Sequence, residues 1–234
     1  MKFIDVHTHL LPGIDDGSPD VETSLQMLRK WKEQGVKKIV ATPHFDFRDV
    51  SVERFLEQRQ NAYEKLLSAV RASGEELCEI MLGAEIMYSS NMFGFIDLSA
   101  LSIGETPFVL VEFATELSAE KVSNIVASRS RSDVILILAH AERYKSFGFL
   151  RKLKKLRDAD VLFQVNFSSF LPSSPFRGTA EMMMKHDLID LFATDAHGIN
   201  VRNPDFSEVL RGLYREHGRQ KTDRILNRSY EYFG

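Results

Sequence analysis

The 234-residue chain holds a single cysteine, Cys78, so it closes no internal disulfide and suits a reducing compartment. No apolar run reaches membrane-spanning length, and the N-terminus lacks the basic segment and long apolar stretch of a secretory signal. A soluble, cytoplasmic protein with no membrane insertion is expected. Charge of one sign is also lacking. Thirty lysines and arginines stand against 33 acids for a net −3, which offers nucleic acid or anionic lipid no bulk attraction. No low-complexity linker, short-period repeat or composition break divides the chain, so residues 1–234 are expected to form one domain. The apolar share of 44% supplies a sizeable core.

Short apolar runs alternate with helical patterns. Strands are expected at Phe3–His9, Lys38–Thr42, Ile80–Ala84, Phe108–Phe113, Val134–Ala139, Val161–Asn166 and Leu191–Thr194. Amphipathic helices are expected at Val21–Gln34, Val52–Ala72, Ala119–Ser130, Phe149–Arg157, Thr179–His186, Ser207–Glu216 and Thr222–Ser229. This order predicts an α/β fold with a parallel sheet and helices outside it. In the Phe149–Arg157 helix, Leu150, Leu153 and Leu156 recur at helical spacing, so Arg151, Lys152, Lys154, Lys155 and Arg157 read as a solvated face. Trp31, Met182, Met183, Met184 and Cys78 read as packing residues.

The polar residues fall in a pattern. Each apolar run ends in a polar or metal-capable side chain: His9, His44, Glu85, Glu112, His140, Asn166 and Asp195. Periodicity leaves open whether the sheet closes. A β/α barrel would gather its C-terminal strand ends on one face, where an open sheet would spread them along a line. The convergence of these positions therefore favours closure.

Side chains at i and i+2 of a strand share a face, so His7 and His9 project together. The loop LPGIDDG that follows can return an acid to the same centre. Five of the seven histidines, at 7, 9, 44, 140 and 197, lie at or just past strand ends, while His186 and His217 sit near helix ends as surface charges. Adding Asp16, Glu85, Glu112 and Asp195 makes nine donors aimed at one place. Mixed imidazole and carboxylate donors suit Mn²⁺, Fe²⁺ or Zn²⁺ better than Ca²⁺. Nine are too many for one ion and point to two or three, an arrangement suited to phosphate-ester hydrolysis.

The segments DVHTHLLPGIDDG, ATPH, GAEI, VEF, AHAERY and ATDAHG, in that order, resemble the motifs of the PHP (polymerase and histidinol phosphatase) superfamily. They are most similar to the bacterial tyrosine-protein phosphatases of capsule and exopolysaccharide loci. The resemblance implies a distorted seven-stranded, TIM-like β/α barrel holding a trinuclear centre, with Mn²⁺ the leading ion. Its ligands would be His7, His9, Asp16, His44, Glu85, Glu112, His140, Asp195 and His197, with Asp16 rather than Asp15 matching the second acid of the D-D-G. It also implies that Arg143 and Arg202 orient phosphate, whose oxygens guanidinium forks bind bidentately.

The function so implied is hydrolysis of phosphotyrosine by a metal-bound hydroxide. The substrate would be the tail of a cytoplasmic tyrosine autokinase that controls polysaccharide export. A cysteine-based mechanism needs C-x5-R, and the sixth residue after Cys78 is Ala84. The rival readings are a phosphatase for histidinol phosphate or a related small ester, a nucleic-acid phosphodiesterase, and a non-catalytic scaffold of the same fold. The acidic balance argues against the second rival and the full ligand set against the third.

Overall fold

The computed structural model describes residues 2–129 and 133–234. The chain runs β1 (Ile4–Thr8), α1 (Val21–Glu33), β2 (Lys38–Ala41), β3 (His44–Phe45), α2 (Val52–Ser73), β4 (Glu79–Leu82), β5 (Glu85–Met87) and α3 (Met92–Phe95). It continues with β6 (Phe108–Glu112), α4 (Ala119–Arg129), β7 (Ile135–Leu138), α5 (Phe149–Arg157), β8 (Leu162–Asn166), α6 (Arg177–Lys185), β9 (Leu191–Ala193), α7 (Ser207–His217) and α8 (Arg219–Phe233). Single 3₁₀ turns at Leu98–Leu101, Ala141–Tyr144 and Phe167–Phe170 were not foreseen from sequence. Every expected element is present to within a few residues, and the end of the third amphipathic stretch, Ser130, lies outside the described residues.

All strand pairs are parallel, as the alternation requires. They form a three-stranded sheet, β1-β2-β4, and a six-stranded sheet, β3-β5-β6-β7-β8-β9. The structure differs here from the seven unbroken strands read from sequence, because two runs are interrupted. Pro43 has no N–H to donate and separates β2 from β3; Gly83 and Ala84 separate β4 from β5. Hydrogen bonds still cross the gaps, from Gly83 N to Ala41 O (2.9 Å) and from Glu85 N to Pro43 O (3.0 Å). At the other edge an isolated parallel bridge joins Thr8 to Ala196, and Asp195 N donates to His7 O at 2.9 Å.

Alternation along the strands divides the apolar residues in two. Ile4, Val6, Val40, Leu110, Ile137, Leu191 and Ala193 meet in one cluster, covered by Phe233 at the end of α8. Ile39, Val109, Val111, Leu136, Phe163, Val165 and Phe192 face the helices in a larger one, with Trp31 and Leu28 of α1. Burial of this kind contributes about 25 cal/mol per Å² of apolar surface. Trp31 does more than fill space, since its indole donates to the buried Asp5 carboxylate at 2.8 Å. Thr194 donates to Asp5 as well, through its hydroxyl (2.6 Å) and its amide (3.1 Å). Asp5 thereby ties α1, β1 and the end of β9 together.

Strict alternation would send His7 the way of Asp5, toward the helices. A one-residue bulge between Asp5 and Thr8 changes the register with β2 and turns His7 to the other side. The α5 face also departs from expectation. Lys152 donates to Leu117 O and Ser146 Oγ, and Arg157 to the buried Asp190, so only Arg151, Lys154 and Lys155 are fully solvated. Cys78, Met183 and Met184 are buried as expected, and His186 is exposed.

The turn after β1 returns across His9, with Ser18 N donating to His9 O at 2.9 Å. A Cβ on Gly17 would lie 2.3 Å from both His9 Cβ and His9 O, so only glycine fits there. Gly17→Ala is expected to lower both the melting temperature and divalent-metal affinity, measured by thermal denaturation and metal titration. Wild-type values for both would contradict this geometry.

Candidate metal centre

The nine donors expected from sequence come together at the end of the strands where β1, β6 and β9 terminate. His7 and His9 come from β1 and its exit, Glu112 from the end of β6, His140 from the residue pair after β7, and Asp195 and His197 from the turn after β9. His44 and Glu85 depart from the sequence reading. They open the short strands β3 and β5, where they face each other in register. The breaks at Pro43 and Gly83-Ala84 are what bring them level with the other ends.

Four overlapping sets of donor atoms lie within 4.8 Å of one another: His9, Asp16, His44 and His197; His7, His9 and Asp195; His7, Glu85 and His140; and His44, Glu85 and Glu112. Glu85 is the hub. One of its oxygens lies 3.2 Å from the Nε2 of His7 and of His9 and 3.1 Å from His44 Nδ1, while the other lies 2.8 Å from His140 Nε2. Glu112 approaches His44 Nδ1 at 3.1 Å, and Asp16 approaches the Nε2 of His44 (3.3 Å) and of His197 (3.4 Å). A fifth set, Glu181, Glu216 and His217, lies on α6 and α7. There His217 pairs with Glu181 at 2.9 Å, as a helix-end charge would.

Four of the five rings are fixed from behind. Gln164 Oε1 holds His7 Nδ1 (3.1 Å), Asp15 holds His9 Nδ1 (2.7 Å), the Tyr144 hydroxyl meets His140 Nδ1 (2.9 Å), and the Asp195 carbonyl meets His197 Nδ1 (3.0 Å). Such partners set the tautomer that leaves Nε2 free to ligate. This separates the two adjacent acids: Asp15 supports His9 from outside while Asp16 reaches into the centre. Gln164, Tyr144 and Asp15 were not assigned to the site from sequence. The polar Gln164 inside the apolar run VLFQVN was the available signal.

Gln164 also accepts from His140 N (2.8 Å) and donates to Asn166 Oδ1 (2.7 Å), and Asn166 donates to Asp195 Oδ2 (2.8 Å). Arg143 donates to the same oxygen at 2.8 Å, and Arg202 contacts it too. Asp195 Oδ2 is thus saturated. Its partner Oδ1 is buried without a hydrogen bond, as is His197 Nε2. Two buried lone-pair donors left open toward a ring of carboxylates and imidazoles fit a cation. His140, Asp195 and Arg202 all hold positive φ (31°, 53° and 49°), so backbone strain of order 1 kcal/mol apiece gathers here.

The charges respond to one another. Burial opposes charge on His9, but Asp15 and Glu85 outweigh it and raise the ring to about 9. His44 is opposed by burial in the same way, yet Glu112 and Glu85 raise it to about 11. Burial, with His9 and Arg202 adding to it, pushes His197 down to about 4. Burial would raise Glu85 and Asp195, but the neighbouring histidines hold both carboxyls well below the usual range. Cys78 is no rival nucleophile, since burial pushes its thiol up to about 11.

In metal-free protein His9 and His44 are therefore protonated at neutral pH. Their raised values make this contribution to stability complete below about 6.5, and it is lost as pH rises through about 9 and on toward 11. The melting temperature of metal-free protein is expected to fall over that range, and added Mn²⁺ to abolish the fall. Calorimetric titration with Mn²⁺ at pH 7 in buffers of different ionisation enthalpy is expected to register a net release of protons. No release would contradict the assignment. Asp15→Asn is expected to weaken metal binding by about 10- to 100-fold while leaving Asp16 in place.

Comparison with known proteins agrees with this geometry. The model of the CpsB/CapC family of capsular polysaccharide synthesis proteins matches residues 3–231. The tyrosine-protein phosphatase CpsB of Streptococcus agalactiae serotype III is 25% identical over 236 residues, covering 96% of this chain and 95% of its own. Tyrosine-protein phosphatase YwqE of Bacillus subtilis is 25% identical over 231 residues, covering 92% and 85%. In the crystal structures of YwqE from B. subtilis and CpsB from Streptococcus pneumoniae, described as metal-dependent tyrosine phosphatases, a chain superposes with a TM-score of 0.78 at 23% identity. It covers 97% of this chain and 94% of its own. That structural likeness establishes a shared α/β fold, and the family match establishes descent: the chain belongs to the CpsB/CapC family.

Proposed function

We propose that this chain is a metal-dependent protein-tyrosine phosphatase whose substrate is a phosphotyrosine-bearing tail of a cytoplasmic tyrosine kinase in capsule or exopolysaccharide synthesis. The observation that carries the reading is the pairing of nine converging donors with two guanidiniums at one carboxylate. The names of the relatives support the choice of substrate. The fold is read as a distorted seven-stranded barrel of the PHP type, with β2–β3 and β4–β5 each serving as one broken strand. The Thr8–Ala196 bridge supports closure. Residues 1–234 are read as one catalytic unit, in keeping with a family match over 3–231. Among the described residues no helix is long and apolar enough to cross a membrane, which accords with a cytoplasmic site of action.

His7, His9, Asp16, His44, Glu85, Glu112, His140, Asp195 and His197 would hold two or three divalent ions, Mn²⁺ foremost. Bound there, such ions supply a water of lowered pKa and offset the charge of the phosphate. The chain's own residues do the rest. Arg143, Arg202 and Asn166 crowd Asp195 Oδ2, which fixes the carboxylate and aims Oδ1 inward. Each arginine carries five N–H donors, of which Asp195 takes only part, and their side chains are 29% and 36% exposed. In this reading they take the non-bridging phosphate oxygens, which guanidinium forks bind bidentately. The phenolic leaving group, with a pKa near ~10, needs little protonation to depart.

Phosphate release measured with Mn²⁺ present is expected to favour a phosphotyrosyl peptide over histidinol phosphate at equal concentration. Preference for histidinol phosphate would keep the centre and overturn the substrate. Arg143→Ala is expected to retain its metal while losing about 100-fold in kcat, as removal of one preorganised donor typically does. Loss of metal in that variant would contradict its assigned role.

A further inference from the structure

Five large apolar side chains stand out of the surface among the described residues, and their distribution is uneven. Val126 and Tyr230 lie on the outer helices α4 and α8, but Phe95 (75% exposed), Phe147 (99%) and Val201 (74%) lie in the segments that follow β5, β7 and β9. Those strands deliver the candidate centre. Each of the three is also tethered closely to a residue of that centre. Val201 precedes Arg202 and lines one groove with Asp16, His197 and Arg202. Phe147 follows Arg143 by four residues, at most about 14 Å of chain. Phe95 stacks on Phe47 with ring centroids 6.5 Å apart and planes 20° from parallel, and Phe47 follows His44 by three residues.

Singly exposed apolar groups are ordinary on a protein surface, but these three all follow strands that lead into the candidate centre, within a short length of chain of it. A small phosphate ester held between Arg143 and Arg202 has no atoms that extend to a rim. An extended polypeptide does. At roughly 3.3 Å per residue, side chains two to four positions from a phosphotyrosine lie about 7–13 Å from it, within the reach of the chain that tethers Phe147 to Arg143.

We propose that Phe95 on Phe47, Phe147 and Val201 form an apolar rim that grips apolar side chains flanking the phosphotyrosine in an extended segment of a partner protein. The inference rests on the phosphotyrosine reading of the centre and adds the chemistry of the sequence around the phosphate. The two arginines anchor the dianion and the rim selects its neighbours. Discrimination therefore appears in KM more than in kcat, because flanking contacts are made equally in the ground and transition states.

The test compares two synthetic phosphotyrosyl peptides, one with leucine and phenylalanine at the flanking positions and one with serine and glycine there. Phenyl phosphate serves as the small ester. Wild-type protein is expected to prefer the apolar peptide by about tenfold in kcat/KM. In the Phe147→Ser, Val201→Ser double variant this ratio is expected to fall to near one through a rise in KM. A wild type that treats both peptides alike, or a variant that keeps the preference, would overturn the rim. Light scattering that shows wild-type self-association abolished in the variant would also overturn it, since the rim would then be a contact between copies of this chain. A wild type that hydrolyses phenyl phosphate but neither peptide would bring down the phosphotyrosine reading itself, and is distinct from these outcomes.

Discussion

Glu85 and Asp195 are each 1% exposed, and they lie among histidines that burial would keep neutral. A carboxylate removed from water costs several kcal/mol unless a positive charge answers it. In metal-free protein protons on His9 and His44 answer the carboxylate charge, and divalent ions bound among these residues would answer it more completely. Most of the site follows from this constraint. The rings are held from behind by Gln164, Asp15, Tyr144 and a backbone carbonyl, so that the Nε2 atoms of His7, His9 and His140 turn toward Glu85 and that of His197 toward Asp16. One oxygen of Asp195 accepts from Arg143, Arg202 and Asn166, and the other is buried without a hydrogen bond, open to a cation.

The backbone bends to serve the same end. A bulge in β1 turns His7 away from the helices, Pro43 and Gly83 break two strands so that His44 and Glu85 lie level with the rest, and His140 and Asp195 take positive φ. Gly17 lets the Asp15–Asp16 turn close against His9. These are local departures from regular structure, and they gather where the donors gather. Elsewhere the strands alternate cleanly between two apolar clusters, and the helices are ordinary amphipathic covers.

The regular parts were therefore the legible ones. The parallel α/β order followed from period alone, and the nine donors could be picked out because each interrupts or ends an apolar run. The bulge and the strand breaks have no periodic signature, so His44 and Glu85 read as strand ends when they open new strands. Partners that act through another side chain were also hidden. Tyr144 reads as part of a motif and Gln164 as a strand residue until their contacts with His140 and His7 are seen. Arg157 and Lys152 looked like solvated charges because helical spacing does not reveal a buried acid such as Asp190 on a neighbouring element.

The central claim is that these buried carboxylates and imidazoles are a multinuclear metal site and not a self-contained ion-pair cluster. Its most direct test is the metal stoichiometry of purified wild-type protein, measured by elemental mass spectrometry after loading with Mn²⁺ and exhaustive dialysis. Two or three ions retained per chain is the predicted result, and retention of one or none would contradict it.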